Sequence, residues 1–97
     1  MLFITDAPSL ISRPSDKTIT EGATVIFHCN ATGNPTPKIT WTKDGKTVGT
    51  NDTLSFVTDR NHSGQYWCSA ENGLNVTVKA SAKLDVQCKH QNYTQYV

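Results

Sequence analysis

The feature that most constrains the fold is a pair of cysteines, each lying inside a short segment in which apolar and polar residues alternate. In segment 24–30, Cys29 falls on the apolar side. In segment 64–71, Tyr66 and Cys68 fall on the apolar side. Because successive side chains of a strand point to opposite faces, both segments are predicted to be β-strands that bury their cysteines.

The rest of the chain repeats this pattern, and no stretch shows sustained helical periodicity. Asp44-Gly45 is typical of a tight hairpin turn, and Pro14 is expected to divide the first strand into two pieces. Short strands with one apolar side predict an all-β fold of two packed sheets. The further predicted strands lie near residues 9–12, 17–20, 38–42, 46–48, 54–56 and 76–86.

Length and charge limit the classes of function. A chain of 97 residues suits one domain, which we place at 8–87. Residues 1–7 are interpreted as a leader or linker, and 88–97 as a linker or the start of a next domain. The net charge is +1 and the basic residues are scattered, which argues against binding to nucleic acid.

Two aromatic residues stand at fixed distances from the cysteines: Trp41 lies twelve residues after Cys29, and Tyr66 lies two residues before Cys68. This arrangement resembles that of the immunoglobulin superfamily. The resemblance implies a Greek-key β-sandwich of two antiparallel sheets with one inter-sheet disulfide, Cys29–Cys68. It also implies that Trp41 packs beside this disulfide and that Tyr66 forms a tyrosine corner.

Two longer stretches are similar to the intermediate-set (I-set) type of this family. The stretch 33–46 contains Gly-x-Pro-x-Pro, the tryptophan and Lys-Asp-Gly, and the stretch 64–73 contains Gly-x-Tyr-x-Cys-x-Ala-x-Asn. His62 stands where the family usually has an aspartate, so the salt bridge of that aspartate is not expected here.

Five Asn-x-Ser/Thr triplets mark candidate sites of N-linked glycans. Together with the cysteine pair they favour an extracellular or cell-surface protein, since disulfides persist in oxidising compartments. Whether each site is occupied stays open. The candidate asparagines are Asn30, Asn51, Asn61, Asn75 and Asn92.

The resemblance implies a recognition or adhesion module that binds a protein partner, including a second copy of itself. Alternatives are the ligand-binding domain of a signalling receptor and a passive spacer in a matrix or muscle-type protein. Membrane anchoring of the parent protein stays open. Strand parity turns Trp67 outward, either as an interface anchor or as a side chain that only packs on its neighbours. The interface candidates are Trp67, Gln65, Thr40, Thr42 and Lys79.

Catalysis is not expected, and neither a cofactor nor a metal ion is implied. His28, His62 and His90 are isolated from one another, and none stands in the pattern of carboxylate, serine or cysteine residues that a catalytic triad or zinc site requires. Cys88 is the odd cysteine, interpreted as one that truncation leaves without its natural partner, or one that pairs with another chain or with a neighbouring domain of the full protein.

Overall fold

A computed structural model describes residues 4–88, and nearly all regular structure within them is β-strand. One turn of 3-10 helix, Arg60–His62, interrupts the strands. The strands in order are β1 (Asp6–Ser12), β2 (Lys17–Thr20), β3 (Thr24–His28), β4 (Asn30–Asn34), β5 (Lys38–Lys43), β6 (Lys46–Gly49), β7 (Thr53–Val57), β8 (Gly64–Glu71) and β9 (Thr77–Gln87).

The strands form two layers. One layer is a five-stranded sheet in the order β2-β9-β8-β5-β6. The other, called the small sheet below, consists of the pairs β1–β4 and β3–β7, which adjoin because only Cys29 separates β3 from β4. The all-β sandwich predicted from the sequence is therefore confirmed.

Pro14 lies in the stretch that carries the chain from one layer to the other. β1 pairs with β4 in the small sheet, whereas β2 pairs with β9 in the five-stranded sheet. The β2–β9 pair is parallel, and the other described strand pairs are antiparallel. This single edge departs from the antiparallel pairing expected of both sheets, because β2 continues in the direction of β1 after the crossing.

Between the layers lies a core centred on aromatic rings. The Phe27 ring lies 6.1 Å from Trp41 and 5.5 Å from Tyr66, measured between centroids. The Trp41 indole N–H donates to the Asn51 carbonyl at 2.7 Å, so its one polar atom is satisfied. The predicted disulfide is present: Cys29 and Cys68, both buried, join the two layers.

The connection from β7 to β8 is held by local hydrogen bonds. The Tyr66 hydroxyl donates to the His62 carbonyl at 2.7 Å, which is the bond of a tyrosine corner. The His62 Nδ1 accepts from the Asp59 backbone N–H at 2.8 Å, and the Asp59 carboxylate accepts from the Asn61 N–H at 2.8 Å. Asp59 and His62 thus form a capping box at the start of the 3-10 helix, and His62 stands at the position where the family usually has an aspartate.

Candidate functional site

Side chains of β8, the middle strand of the five-stranded sheet, alternate between the core and the solvent. Tyr66, Cys68 and Ala70 are buried. Gln65 and Trp67 point outward, and the Trp67 indole is 40% exposed. Because β9 and β5 pair with β8 on either side, Trp67 lies in the middle of the sheet face rather than at its rim.

Short polar side chains flank Trp67. Thr42 of β5 lies opposite it on one side, and Ser81 of β9 lies opposite it on the other. The Gln65 amide nitrogen donates to the Ser81 hydroxyl at 2.8 Å, which fixes one corner of this surface. We call the outward residues Thr42, Gln65, Trp67 and Ser81 the Trp67 surface.

Other candidates lie farther along the same face. Thr40 and Lys79 flank Ser69, two residues beyond Trp67, so the structure does not place the Lys79 stem directly beside the indole. Ser81 was missed from the sequence. Its position depends on the β8–β9 register, which the turn between these strands sets and which alternation alone does not reveal.

The sequons occupy different parts of the molecule. Asn30 is exposed on β4, Asn51 is exposed between β6 and β7, and Asn75 is exposed in the turn before β9. Asn61 lies on the 3-10 helix, where a loop was expected. Asn92 lies outside the described residues.

Cys88, at the end of the described range, is half-buried and carries a free thiol. Its Sγ lies 3.7 Å from Nη2 of Arg60, and this guanidinium also lies 3.7 Å from a carboxylate oxygen of Glu21. These contacts identify no partner for the thiol.

No catalytic constellation forms within residues 4–88. His28 contacts the Thr53 hydroxyl at 3.2 Å, and His62 serves the helix cap; His90 is not among the described residues. This part of the chain holds no cluster of three or more His, Cys, Asp or Glu suited to a metal ion. It also holds no helix long and apolar enough to cross a membrane.

A hollow of about 470 Å³ opens between the edge strands β6 and β7, and its lining includes Lys43, Val48, Phe56 and Tyr66. The Lys43 ammonium lies 5.7 Å from the centroid of the Tyr66 ring. A second, more polar hollow of about 710 Å³ lies between the start of β5 and the β6–β7 connection. In the first hollow, the His62 side chain is hydrogen-bonded to the Asp59 backbone N–H and the Tyr66 hydroxyl to the His62 carbonyl.

Comparisons with known proteins agree with this architecture. A family model described as an immunoglobulin domain matches residues 7–72. The chain is 38% identical over 79 residues to human MAM domain-containing glycosylphosphatidylinositol anchor protein 1, covering 72% of this chain and 8% of that protein. It is 37% identical over 92 residues to human Brother of CDO, covering 84% of this chain and 8% of that protein.

Solved structures show the same fold. Sidekick-1 immunoglobulin domains 1–5 superpose with a TM-score of 0.82 at 28% identity, covering 89% of this chain and 21% of that one. A chain of the complex of Dpr11 IG1 with DIP-gamma IG+IG2 superposes with a TM-score of 0.80 at 26% identity, covering 87% of this chain and 49% of that one. These similarities and the disulfide place the domain outside the cell or at its surface.

Proposed function

Because this chain belongs to the immunoglobulin superfamily, we propose that it is a protein-recognition module of a larger cell-surface or secreted protein. The observation that carries the proposal is Trp67, a large aromatic side chain 40% exposed in the middle of a sheet face. Tryptophan is enriched among the residues that dominate binding energy, since it buries a large rigid surface at little entropic cost.

The surroundings of Trp67 favour contact with another protein. Thr42, Gln65 and Ser81 are uncharged, so covering them requires no ion to lose its hydration. Their hydroxyl and amide groups can donate and accept hydrogen bonds around an apolar centre, as polar residues do around the core of an interface. The nearest charged residues along β9 lie two residues to either side of Ser81: Lys83 is opposite Gln65 and Lys79 is opposite Ser69, positions that suit a rim.

A protein partner is also supported by what the relatives form. One matched chain comes from a complex in which Dpr11 IG1 is bound to DIP-gamma IG+IG2. By this similarity, the partner of the Trp67 surface is a protein domain, either of another chain or of a second copy of this one.

The module is proposed to be non-catalytic. One relative is a human protein named probable oxidoreductase PXDNL, 36% identical over 93 residues, but the chain spans 6% of it. That name describes the whole protein, and a non-catalytic role of this segment is supported by the two described histidines, which serve a cross-strand contact and a helix cap. The first relatives extend far beyond the segment matched here, which suits one module among several.

The test is Trp67→Ala in the full chain. Loss of an interface anchor is expected to weaken binding by about tenfold or more while the melting temperature shifts by only a few degrees. Sedimentation velocity over a range of concentrations measures binding to a second copy, and surface plasmon resonance measures binding to a panel of immunoglobulin-family ectodomains. Circular dichroism measures melting.

Ile26→Ala is the matched control, because Ile26 is 46% exposed but lies on the small sheet. It is expected to leave binding unchanged. If Trp67→Ala lowers the melting temperature and leaves every measured binding intact, Trp67 merely packs on Thr42 and the proposal is wrong. The absence of any binding by the unmodified chain to these probes would favour the spacer alternative and also count against the proposal.

A further inference from the structure

On the small sheet, one row of outward side chains runs the length of β3 and β4. Val25, Phe27 and Cys29 are buried, so the residues between and after them face the solvent. Ile26 and Asn30 belong to this outward row and are four residues apart, which is about 13 Å along a strand.

Three strongly exposed apolar side chains share this outer face. Ile11 is 63% exposed, Ile26 is 46% exposed and Val57 is 62% exposed. Val57 lies opposite Thr24, one diagonal step from Ile26. Exposed apolar residues gathered on one face of a soluble domain commonly mark a surface that something covers.

Asn30 lies next to one member of this group, Ile11. Leu10 pairs with Ala31 and Ser12 pairs with Asn30, and the register shift between these pairs leaves Ile11 as an extra residue of β1 beside Asn30. Ile11 is exposed, whereas its neighbours Leu10 and Ser12 are half-buried, so Ile11 points outward. Asn30 begins an Asn-Ala-Thr sequon whose Thr32 is also exposed.

We propose that Asn30 carries an N-linked glycan that lies along the small sheet and covers Ile11 and Ile26. In the transfer, the Asn30 amide nitrogen loses a proton and bonds to the anomeric carbon of the first sugar, and the lipid pyrophosphate that carried the oligosaccharide leaves. The Asn30 amide oxygen accepts from the Ala31 N–H at 2.9 Å, so this contact does not use the nitrogen that is substituted.

The other described sequons are less suited to this role. Asn51 lies in the β6–β7 connection, Asn61 on the 3-10 helix and Asn75 in the β8–β9 turn. Of the four sequons within residues 4–88, Asn30 is the one whose side chain stands on a strand of the small sheet. The pyranose rings of a glycan there can place their C–H groups on Ile11 while their hydroxyls stay in water.

A glycan on Asn30 also limits which surface can bind a partner, an inference that rests on the proposed function. A bulky, hydrated glycan on the small sheet closes that face to proteins. The Trp67 surface, on the opposite sheet, is then the broad face left for a partner. The glycan and the partner are tested by different measurements, so either proposal can fail alone.

The experiment uses the full chain secreted from eukaryotic cells. Glycopeptide mass spectrometry is expected to find glycan on Asn30 in the unmodified chain and in Thr32→Ser, which keeps a sequon. Thr32→Ala and Asn30→Gln each remove the sequon, and both variants are expected to lack the mass of the glycan at position 30. Both are also expected to raise the fluorescence of the apolar dye ANS about twofold or more, because Ile11 and Ile26 become accessible.

Two further variants test whether a higher dye signal comes from the uncovered isoleucines or from an unfolded chain. Adding Ile26→Ser to Thr32→Ala is expected to return the dye signal toward that of the unmodified chain. Asn51→Gln removes a different sequon and is expected to leave the dye signal unchanged. An unmodified Asn30 overturns the proposal, and so does a glycan on Asn30 whose removal leaves the dye signal unchanged. Concentration-dependent dimers of the unmodified chain that Ile26→Ser abolishes would identify a second copy as the occupant instead.

Discussion

Tyr66 packs in the core and also has a raised pKa, so it links core packing to the pH dependence of stability. Its ring contacts Phe27 and Phe56 in the core, and its hydroxyl donates to the His62 carbonyl at 2.7 Å. Burial raises the pKa of Tyr66 from 10.0 to about 12, with smaller contributions from the negative charges of Asp44 and Asp59. All three causes disfavour the phenolate, so the folded chain holds the neutral form more strongly than the unfolded chain does.

Tyr66→Phe is expected to lower the free energy of unfolding by about 1–2 kcal/mol at neutral pH, because the His62 carbonyl loses its donor. The contribution of a raised pKa is fully present below the unfolded value of 10.0 and is lost as pH rises through about 12. Between these values the unmodified chain should therefore lose stability more steeply than Tyr66→Phe. Urea unfolding of both proteins across this range checks the difference, and parallel curves would contradict it.

The spacing of residues in the sequence predicted several of these core positions, but it did not predict every contact. The positions of Cys29, Trp41 and Tyr66 follow from strand parity and from the family resemblance. The cap formed by His62 could not be predicted, because it depends on the 3-10 helix that brings Asp59 within 2.8 Å of Nδ1. The role of Trp67 in binding stays a prediction, since exposure alone does not identify a partner.

At the scale of elements, the turns set the register between paired strands, which the alternation of apolar and polar residues does not determine. The Asp44-Gly45 turn was predicted, and both residues adopt positive φ, 53° and 78°. This geometry matches the twist of the hairpin strands β5 and β6. The turn between β8 and β9 is longer and includes Gly73 and Asn75 at positive φ, 86° and 60°. A turn of this length is compatible with more than one register between β8 and β9, so the pairing of Trp67 with Ser81 was not predicted.

Gly45→Ala tests the first of these turns. A Cβ at Gly45 would meet no atom within 4 Å, so the expected cost is backbone strain alone. Placing alanine in the left-handed region should lower the free energy of unfolding by about 1 kcal/mol. Asp44→Asn is the control, because asparagine tolerates this region, and it should change stability by less than about 0.5 kcal/mol. Urea unfolding measures both, and equal effects would show that φ is not the cause.

The molecule as a whole depends on links between its two sheets. Pro14 marks the crossing from β1 to β2, and the Cys29–Cys68 disulfide ties the layers through their centre. The sequence predicted the break at Pro14 from the missing backbone donor. The parallel pairing of β2 with β9 was not predicted, because it depends on the partner strand rather than on residues near the proline.

The disulfide closes 39 residues of sequence between buried ends, and this constrains the unfolded chain far more than the folded one. The loop-entropy model assigns such a link about 4 kcal/mol, which is a large part of the stability of a domain of this size. Replacing Cys29 and Cys68 together by alanine should therefore lower the free energy of unfolding by about that amount or prevent secretion.

Cys88→Ser is the matched control for this double variant. Cys88 lies outside the core, and its described contact is one guanidinium nitrogen at 3.7 Å, so the substitution should change stability by less than about 0.5 kcal/mol. Urea unfolding with and without a reductant completes the comparison: the reductant should destabilise Cys88→Ser as much as the unmodified chain. Equal stability of the oxidised and reduced chains would mean that the packing of Trp41, Phe27 and Tyr66 holds the sheets together without the covalent link.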